Sequence, residues 1–196
     1  VFTITKALKD ILIENGISES KITVLPNAVD PSKFKISKKD KQLEKELDFQ
    51  NKVVIGYIGS FTDYEGLDYL LKAGAKLKEK YEGKFKLLMV GDGVVLDNLK
   101  NLSKELKLDN DVHFTGRIDH NDVFDYYSVI DIAVYPRKGT KVCEIVSPLK
   151  PLEAMAMEKT VIASNVKALS EMMKDNETGL LHAKDDIDDL TRLLEK

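Results

Sequence analysis

The amino-acid sequence predicts an α/β fold built on a doubly wound, Rossmann-like parallel sheet. Short and almost purely apolar runs, such as Val53–Ile58 and Phe85–Val90, alternate with longer amphipathic segments such as Leu67–Tyr81. Apolar strands that are separated by helices are typical of a parallel sheet covered on both faces. Crossovers between parallel strands are right-handed, so such a chain winds its helices onto both sides of the sheet.

The alternation continues to the end of the chain. We predict further strands at residues 112–114, 132–135 and 161–164, and helices at 94–106, 121–130, 169–173, in the segment that opens at Pro151, and after GLLHA. Several strands end in loops of small or charged residues, namely GSFTDYEG, GDG, TGR and PRKG. Because ligands bind at the carboxyl edge of such sheets, these loops predict a site for an anionic ligand.

Residues 1–50 are organised differently. They contain a predicted helix at 6–15 that ends at Gly16, a short strand at 22–25 and a charged stretch at 37–48. The charged stretch fits an exposed linker or a surface helix, so we place a domain boundary before Val53. The chain starts without methionine and stops inside an amphipathic pattern. We therefore expect it to be a piece of a longer protein.

The composition argues against several classes of function. The chain has 30 basic and 33 acidic residues and a net charge of −3, which offers no electrostatic basis for a nucleic-acid partner. The single cysteine, Cys143, excludes an internal disulfide and fits a cytoplasmic location. The histidines lack metal-ligand spacing, so we predict no metal site. The sequence shows no signal peptide and no apolar run of roughly 18 residues that would span a membrane.

The segment PLKPLEAMAMEKTVIAS, which begins at Pro148, suggests a nucleotide site. Pro151 fits the first position of a helix, and Lys150, which precedes a proline, is then expected near the N-cap. A helix N-terminus has unpaired N–H groups and partial positive charge, so a lysine there predicts a phosphate seat. Glu153 falls one turn later, where it can accept hydrogen bonds from a diol. The alternative is that Glu153 only stabilises the helix dipole.

Other strand-ending loops add candidates. Arg137 can reach a diphosphate with its fork of donors, or it is a solvated loop charge. Ser60, after Gly59, offers a hydroxyl and a backbone N–H. Asp63 and Glu65 would repel phosphate, so we expect them to contact sugar hydroxyls, water or a structural partner.

The glycines of GDG, at 91–93, resemble half of a dinucleotide-binding motif. Leu96 stands where that motif has its third glycine, so the signal for NAD is weak. A tight turn between strand and helix is the other interpretation. The sequence contains neither the Gly-Lys-Ser/Thr signature of a P-loop nor the Gly-x-Ser-x-Gly elbow of a hydrolase.

Seven motifs that cover nearly the whole chain resemble a known family: KITVLPNAVDPSKF, VVIGYIGSFTDYEGLDYLLKA, FKLLMVGDG, DNDVHFTGRI, VFDYYSVIDIAVYP, PLEAMAMEKTVIASN and NETGLLHA. Their order is similar to that of the C-terminal domain of a retaining GT-B glycosyltransferase of group 1, also called family 4. The resemblance implies that residues 51–196 bind a nucleotide-sugar donor without a metal or cofactor. It also implies that residues 1–50 are the tail of a missing N-terminal Rossmann domain, which carries the acceptor site, plus the interdomain linker.

The resemblance implies a set of donor-binding residues: Gly59, Ser60, Gly116, Arg117, Ile118, Leu149 and Glu153. Glu153 matches the glutamate that binds the ribose hydroxyls. The loop at 115–118 matches the one whose backbone faces the base, and Gly59 and Ser60 match the first donor loop.

Two departures from the family pattern concern charge. The first glutamate of the family's usual pair would stand at Ile145, and Glu144 lies one position out of register. In the first donor loop, Ser60 and Glu65 stand where the family has an arginine and a lysine. A departing nucleoside diphosphate needs positive charge close by. We therefore predict that Lys150 and Arg137 supply it, and we count both, with Glu144, as candidate catalytic residues.

The predicted function is transfer of a sugar from a nucleotide-diphosphate sugar to a glycan, lipid or small-molecule acceptor, with retention of configuration. Two alternatives remain at this point. One is an NAD-dependent dehydrogenase or epimerase on a similar sheet, and the other is a non-catalytic nucleotide-binding module. We expect a cytoplasmic protein, with peripheral membrane association of the full-length protein left open.

Overall fold

The computed structural model describes residues 1–34, residue 36 and residues 38–196. The strands in this part of the chain are β1 (Phe2–Thr3), β2 (Thr23–Val24), β3 (Val53–Ile58), β4 (Phe85–Val90), β5 (Val112–Gly116), β6 (Ile132–Tyr135), β7 (Thr160–Ser164) and β8 (Leu180–His182). The helices are α1 (Lys6–Glu14), α2 (Lys41–Glu46), α3 (Leu67–Tyr81), α4 (Leu96–Glu105), α5 (Val123–Val129), α6 (Lys141–Ile145), α7 (Lys150–Ala156), α8 (Lys167–Ser170) and α9 (Ile187–Leu194). Single turns of 3-10 helix occur at Glu19–Lys21, Asp63–Glu65 and His120–Asp122.

Strands β3 to β8 form one parallel sheet in the order β5-β4-β3-β6-β7-β8. This is the strand order of a Rossmann fold, in which the direction of winding reverses between β3 and β6. The register places Ile55 of β3 between Leu87 of β4 and Ile132 of β6. The predicted doubly wound parallel sheet is confirmed.

The central strands are buried along nearly their whole length. Val54, Tyr57 and Leu87 have no exposed surface, which explains why the sequence of β3 and β4 shows no alternation of polar and apolar residues. Helix α3 packs closely because Gly74 faces the sheet. A Cβ at that position would lie 2.6 Å from Cδ1 of Leu87. Each fully buried aliphatic side chain contributes roughly 1.5–3 kcal/mol to stability.

The N-terminal segment forms a separate two-stranded parallel sheet, β1 with β2. Side-chain hydrogen bonds hold it against residues 51–196. The carboxylate of Glu171 accepts hydrogen bonds from the backbone N–H groups of Lys6 and Ala7, at 2.7 and 2.9 Å. The amide of Asn27 donates to the carbonyl of Ser147 at 2.8 Å. The division into residues 1–50 and 51–196 stays a prediction.

Several element boundaries differ from the prediction. Ser37, where the charged stretch begins, lies outside the described residues. The later part of the stretch contains α2, which agrees with the surface helix that was one of the two alternatives. Helix α7 starts at Lys150 with Leu149 as its N-cap, so Pro151 is the second helical residue rather than the first. Proline is tolerated there because the first-turn N–H groups have no partner within the helix. None of the helices in the described residues is long and apolar enough to cross a membrane.

Candidate functional site

A cavity of about 480 Å³ opens at the carboxyl ends of β3, β4 and β5. It lies beside the point where the strand order reverses, which is where ligands bind in open α/β sheets. Its lining residues come from the loops after these strands and from the first turns of α5 and α7: Ile58, Gly59, Ser60, Val90, Gly91, Asp92, Gly93, Arg117, Ile118, Val123 and Lys150. The predicted edge of the sheet therefore carries the cavity.

Glycines allow the loops after β3 and β4 to touch through their backbones. A Cβ at Gly91 would lie 1.9 Å from the carbonyl oxygen of Gly59, and one at Gly93 would lie 2.2 Å from that of Phe61. The backbone N–H of Phe61 donates to the carbonyl of Asp92 at 2.8 Å. The GDG motif is thus explained by close packing of two loops, and the motif also lines the cavity.

Lys150 is held across the loop after β3. A Cβ at Gly59 would lie 2.1 Å from Cε of Lys150, so a larger residue there would push this side chain aside. The ammonium lies 5.7 Å from the centroid of the Tyr57 ring. The carbonyl of Lys150 accepts a hydrogen bond from the Tyr135 hydroxyl at 2.9 Å. This hydrogen bond holds the backbone of Lys150, and the residue lines the cavity wall.

Arg137 lies behind the cavity wall, paired with Glu65. Both residues are buried, and the guanidinium donates to both carboxylate oxygens, at 3.2 and 2.8 Å. Burial opposes the charged form, but the contact with Glu65 outweighs it and raises the pKa of Arg137. Three of the five N–H donors of Arg137 have partners in the structure, two on Glu65 and one on the carbonyl of Val146. The predicted direct contact with diphosphate stays a prediction. Of the expectations for Glu65, the structural partner is the one observed.

Tyr57 completes this buried layer. Burial and the nearby carboxylate of Glu65 raise the pKa of Tyr57 well above its ordinary value, so the phenol stays neutral. Its hydroxyl donates to the carbonyl of Ser60 at 3.0 Å. The ring of Tyr57 therefore lies next to the Lys150 ammonium, and its hydroxyl holds the backbone of the first loop.

Glu153 lies one turn into α7 and is outside the described lining of the cavity. Its Oε2 accepts a hydrogen bond from the Tyr127 hydroxyl at 3.3 Å. Burial, with the carboxylate of Glu153 nearby, raises the pKa of Tyr127 well above its ordinary value. Leu149, just before α7, is 44% exposed and is also outside the described lining.

Glu144 is placed away from the cavity, on the short helix α6. It forms an ion pair with Lys184 at 2.5 Å and accepts the backbone N–H of Lys167 at 2.7 Å. Burial works against its ionisation, yet these two hydrogen bonds outweigh burial and lower the pKa of Glu144. As observed, Glu144 caps the start of α8.

The loop after β5 contributes Arg117 and Ile118 to the cavity, and Arg117 is exposed. Gly116 shapes this loop from outside the lining. Its φ of +68° lies in the left-handed region, and its carbonyl accepts the N–H of Gly91 at 3.1 Å. The cavity therefore unites five of the ten predicted site residues, namely Gly59, Ser60, Arg117, Ile118 and Lys150.

Sequence reasoning included the GDG loop at this edge of the sheet but did not single out Asp92, and it missed Val123. The signal for Asp92 is its place directly after a buried strand, at the same sheet edge as Gly59.

Comparison with known proteins agrees with this geometry. A family model described as glycosyl transferases group 1 matches residues 38–196. An uncharacterized glycosyltransferase of Haemophilus influenzae is 30% identical over 197 residues, which covers 100% of this chain and 50% of the relative. The chain thus spans about half the length of the curated relatives it matches.

Solved structures show the same fold. Anabaena HepE in complex with UDP and glucose superposes with a TM-score of 0.86 at 20% identity, over 99% of this chain and 52% of that one. The C-terminal domain of LpcC, a glycosyl transferase group 1 family protein from Francisella tularensis, gives a TM-score of 0.72 at 26% identity and covers 86% of both chains. The motifs, the sheet order and the family match lead to one conclusion. The chain belongs to the glycosyl transferases group 1 family.

Proposed function

We propose that this chain is the donor-binding, C-terminal part of a glycosyltransferase that moves a sugar from a nucleotide-diphosphate sugar to an acceptor with retention. Residues 51–196 bind the donor, and residues 1–50 link them to an N-terminal domain that binds a glycan, lipid or small-molecule acceptor. The same proposal places the protein in the cytoplasm.

One observation carries this proposal: the Lys150 ammonium stands at the wall of a cavity at the reversal point of a Rossmann sheet. A cavity of about 480 Å³ falls in the size range of small-molecule sites. Its wall combines glycine loops, which allow a ligand to approach the backbone closely, with the cation of Lys150, and this combination suits phosphate oxygens. The complexes of Anabaena HepE with UDP and with UDP-glucose support the choice of a nucleotide sugar as ligand.

Each residue has a role in the proposal. Lys150 stabilises the negative charge that develops on the diphosphate as it leaves the sugar. Glu153 accepts hydrogen bonds from the ribose hydroxyls with the carboxylate that Tyr127 orients. The loop of Gly116, Arg117 and Ile118 borders the base.

Two further groups complete the proposed site. Gly59 and Ser60 lie in the wall beside Lys150. The N–H of Gly59 donates to the carbonyl of Val90 at 2.9 Å, so Gly59 leaves room for the donor while Ser60 presents its backbone N–H and hydroxyl to it. Leu149 borders the sugar from the turn before α7. Glu144 stays a candidate for the donor sugar only if its ion pair with Lys184 opens.

Calorimetric titration of the 196-residue chain tests the proposal. UDP, GDP, ADP, their sugars and NADH are titrated into the wild type, Lys150→Ala and the matched control Lys174→Ala, whose side chain is 76% exposed. We expect at least one nucleoside diphosphate to bind. Lys150→Ala should weaken it about tenfold, as loss of one charge-assisted contact does, and Lys174→Ala should not.

Three results would contradict the proposal. Binding of NADH with no binding of any nucleoside diphosphate would favour the dehydrogenase or epimerase alternative. Equal diphosphate affinity in the wild type and Lys150→Ala would remove the residue on which the proposal depends. A non-catalytic module would bind nucleotide normally, and the full-length protein would then show no donor hydrolysis or transfer.

A further inference from the structure

A buried carboxylate lies between two cations behind the cavity wall. The side chain of Glu65 is 4% exposed and that of Arg137 is 7% exposed. Arg137 donates through Nε and Nη2 to the two oxygens of Glu65, and through Nη1 to the carbonyl of Val146 at 2.9 Å. The guanidinium is therefore fixed by a bidentate ion pair and by the backbone that leads towards α7.

Lys150 is the second cation beside this carboxylate. Its Nζ lies 3.9 Å from Oε1 of Glu65, the same oxygen that Arg137 holds at 2.8 Å. A charge-assisted hydrogen bond from an ammonium would measure about 2.7–2.9 Å, so Lys150 is near Glu65 without being bonded to it. Within the described chain, Glu65 is the only carboxylate paired with Lys150.

The charges of this cluster do not cancel. Glu65 contributes one negative charge, and Arg137 and Lys150 contribute one positive charge each. Because Arg137 has the short, bidentate contact, it is the cation that neutralises Glu65. The positive charge left over belongs to Lys150, which is also the member of the cluster that lines the cavity.

We propose that Arg137 is a positioning residue that neutralises Glu65 and so keeps the Lys150 ammonium available to the donor's diphosphate. This inference rests on the proposed function. It gives Arg137 an effect on diphosphate affinity without any contact between Arg137 and the ligand.

The proposal has a direct physical consequence. Without Arg137, the carboxylate of Glu65 would be buried and unpaired, which is far less favourable than a buried pair. Lys150 is the nearest cation, and its flexible stem allows it to close the remaining gap. Lys150 would then pair with Glu65 and would no longer be available to the diphosphate. If both charges of the pair are removed together, no carboxylate remains to capture it.

Four forms of the 196-residue chain test this: wild type, Arg137→Met, the double variant Glu65→Gln/Arg137→Met and the exposed control Lys174→Met. Each is titrated with UDP, GDP and ADP and with uridine, guanosine and adenosine. We expect Arg137→Met to bind the diphosphate about tenfold more weakly, the value of one charge-assisted contact, and the double variant to return to within about threefold of the wild type. Nucleoside affinity should stay within about threefold in all forms, because nucleosides carry no phosphate.

The double variant decides the outcome even if Arg137→Met does not fold, since it leaves no unpaired buried charge. A double variant that stays tenfold weaker than the wild type would mean that Arg137 contacts the diphosphate itself, and the inference fails. A double variant that loses nucleoside affinity to the same extent would show only a structural role, which also overturns it. A wild type that binds none of the three diphosphates would instead defeat the proposed function, and this inference with it.

Discussion

The two halves of the sheet's carboxyl edge are built in different ways. At the β3–β5 edge, formed by the loops after β3, β4 and β5, the loops contact one another through glycine backbones and the cavity stays open. The β6–β8 edge, formed by the segments after β6, β7 and β8, is closed by contacts among its own charges, such as Glu144 with Lys184 and Asp185 with the N–H of Gly139.

This difference shows why charged loop residues alone do not mark a binding site. Arg137 and Glu144 of the β6–β8 edge are already paired, whereas Lys150 extends from that edge across to the cavity. Of the lining residues in the described chain, Lys150 is the one that belongs to the β6–β8 edge. A ligand can use a charge only where the fold has not already neutralised it.

The largest expected effect is on the buried pair. Arg137→Met should lower the free energy of unfolding by about 3–5 kcal/mol, because it leaves Glu65 as an unpaired buried charge. The double variant Glu65→Gln/Arg137→Met should recover most of that loss. Urea denaturation measures both. Glu177→Gln, which breaks the exposed pair of Lys174, is the control and should change stability by less than about 0.5 kcal/mol. A double variant less stable than Arg137→Met would show that the unpaired charge of Glu65 is not the cause of the loss.

The next effect concerns the glycines of the β3–β5 edge. Gly91→Ala should cost about 3 kcal/mol of unfolding free energy, because its Cβ would lie 1.9 Å from a backbone oxygen and φ is +134°. Gly116→Ala is the matched control. It has a φ of +68° but no atom within 4 Å of the added Cβ, so backbone strain of about 1 kcal/mol is all that remains. Equal losses in the two variants would show that loop contact does not matter.

A smaller effect is expected at the exposed rim of the cavity. Arg117→Ala should weaken binding of a nucleoside diphosphate by less than about 1 kcal/mol, because exposed charges interact through water. The difference between Arg117→Ala and the wild type should shrink when the titration is repeated at about 1 M salt, where the Debye length is near 3 Å. A loss that is independent of salt would place Arg117 in direct, desolvated contact with the ligand.

The smallest effect belongs to Glu144. The folded state lowers the pKa of this carboxyl, so its ionised form stabilises the fold above its unfolded value near 4.5, and that contribution disappears as pH falls through the folded pKa. Glu144→Gln should therefore be less stable than the wild type by under about 1 kcal/mol at pH 7, and the difference should shrink as pH falls below about 4.5. Urea denaturation across this pH range measures it. A difference that does not shrink would have to come from packing.

The strands at Val53–Ile58, Phe85–Val90 and Ile132–Tyr135 were predicted with their observed bounds, because buried parallel strands are continuous apolar runs. Helix boundaries were less accurate. The pre-proline rule placed the first residue of α7 at Pro151, whereas the helix begins one residue earlier, at Lys150. In the fold, the carbonyl of Lys150 accepts a hydrogen bond from Tyr135 of β6, a contact that a local rule cannot include.

The α/β alternation, the sheet edge that carries the cavity and the family motifs could all be predicted from the amino-acid sequence alone. These follow from local hydrophobic patterns and short-range turn chemistry. Which charges neutralise one another could not be predicted in this way and is seen only in the tertiary structure. Glu65 and Arg137 are 72 positions apart, and Glu144 and Lys184 are 40 apart, so their pairing depends on how the strands are ordered in the sheet. The strand order also brings Lys150 over Gly59, where its charge faces the cavity.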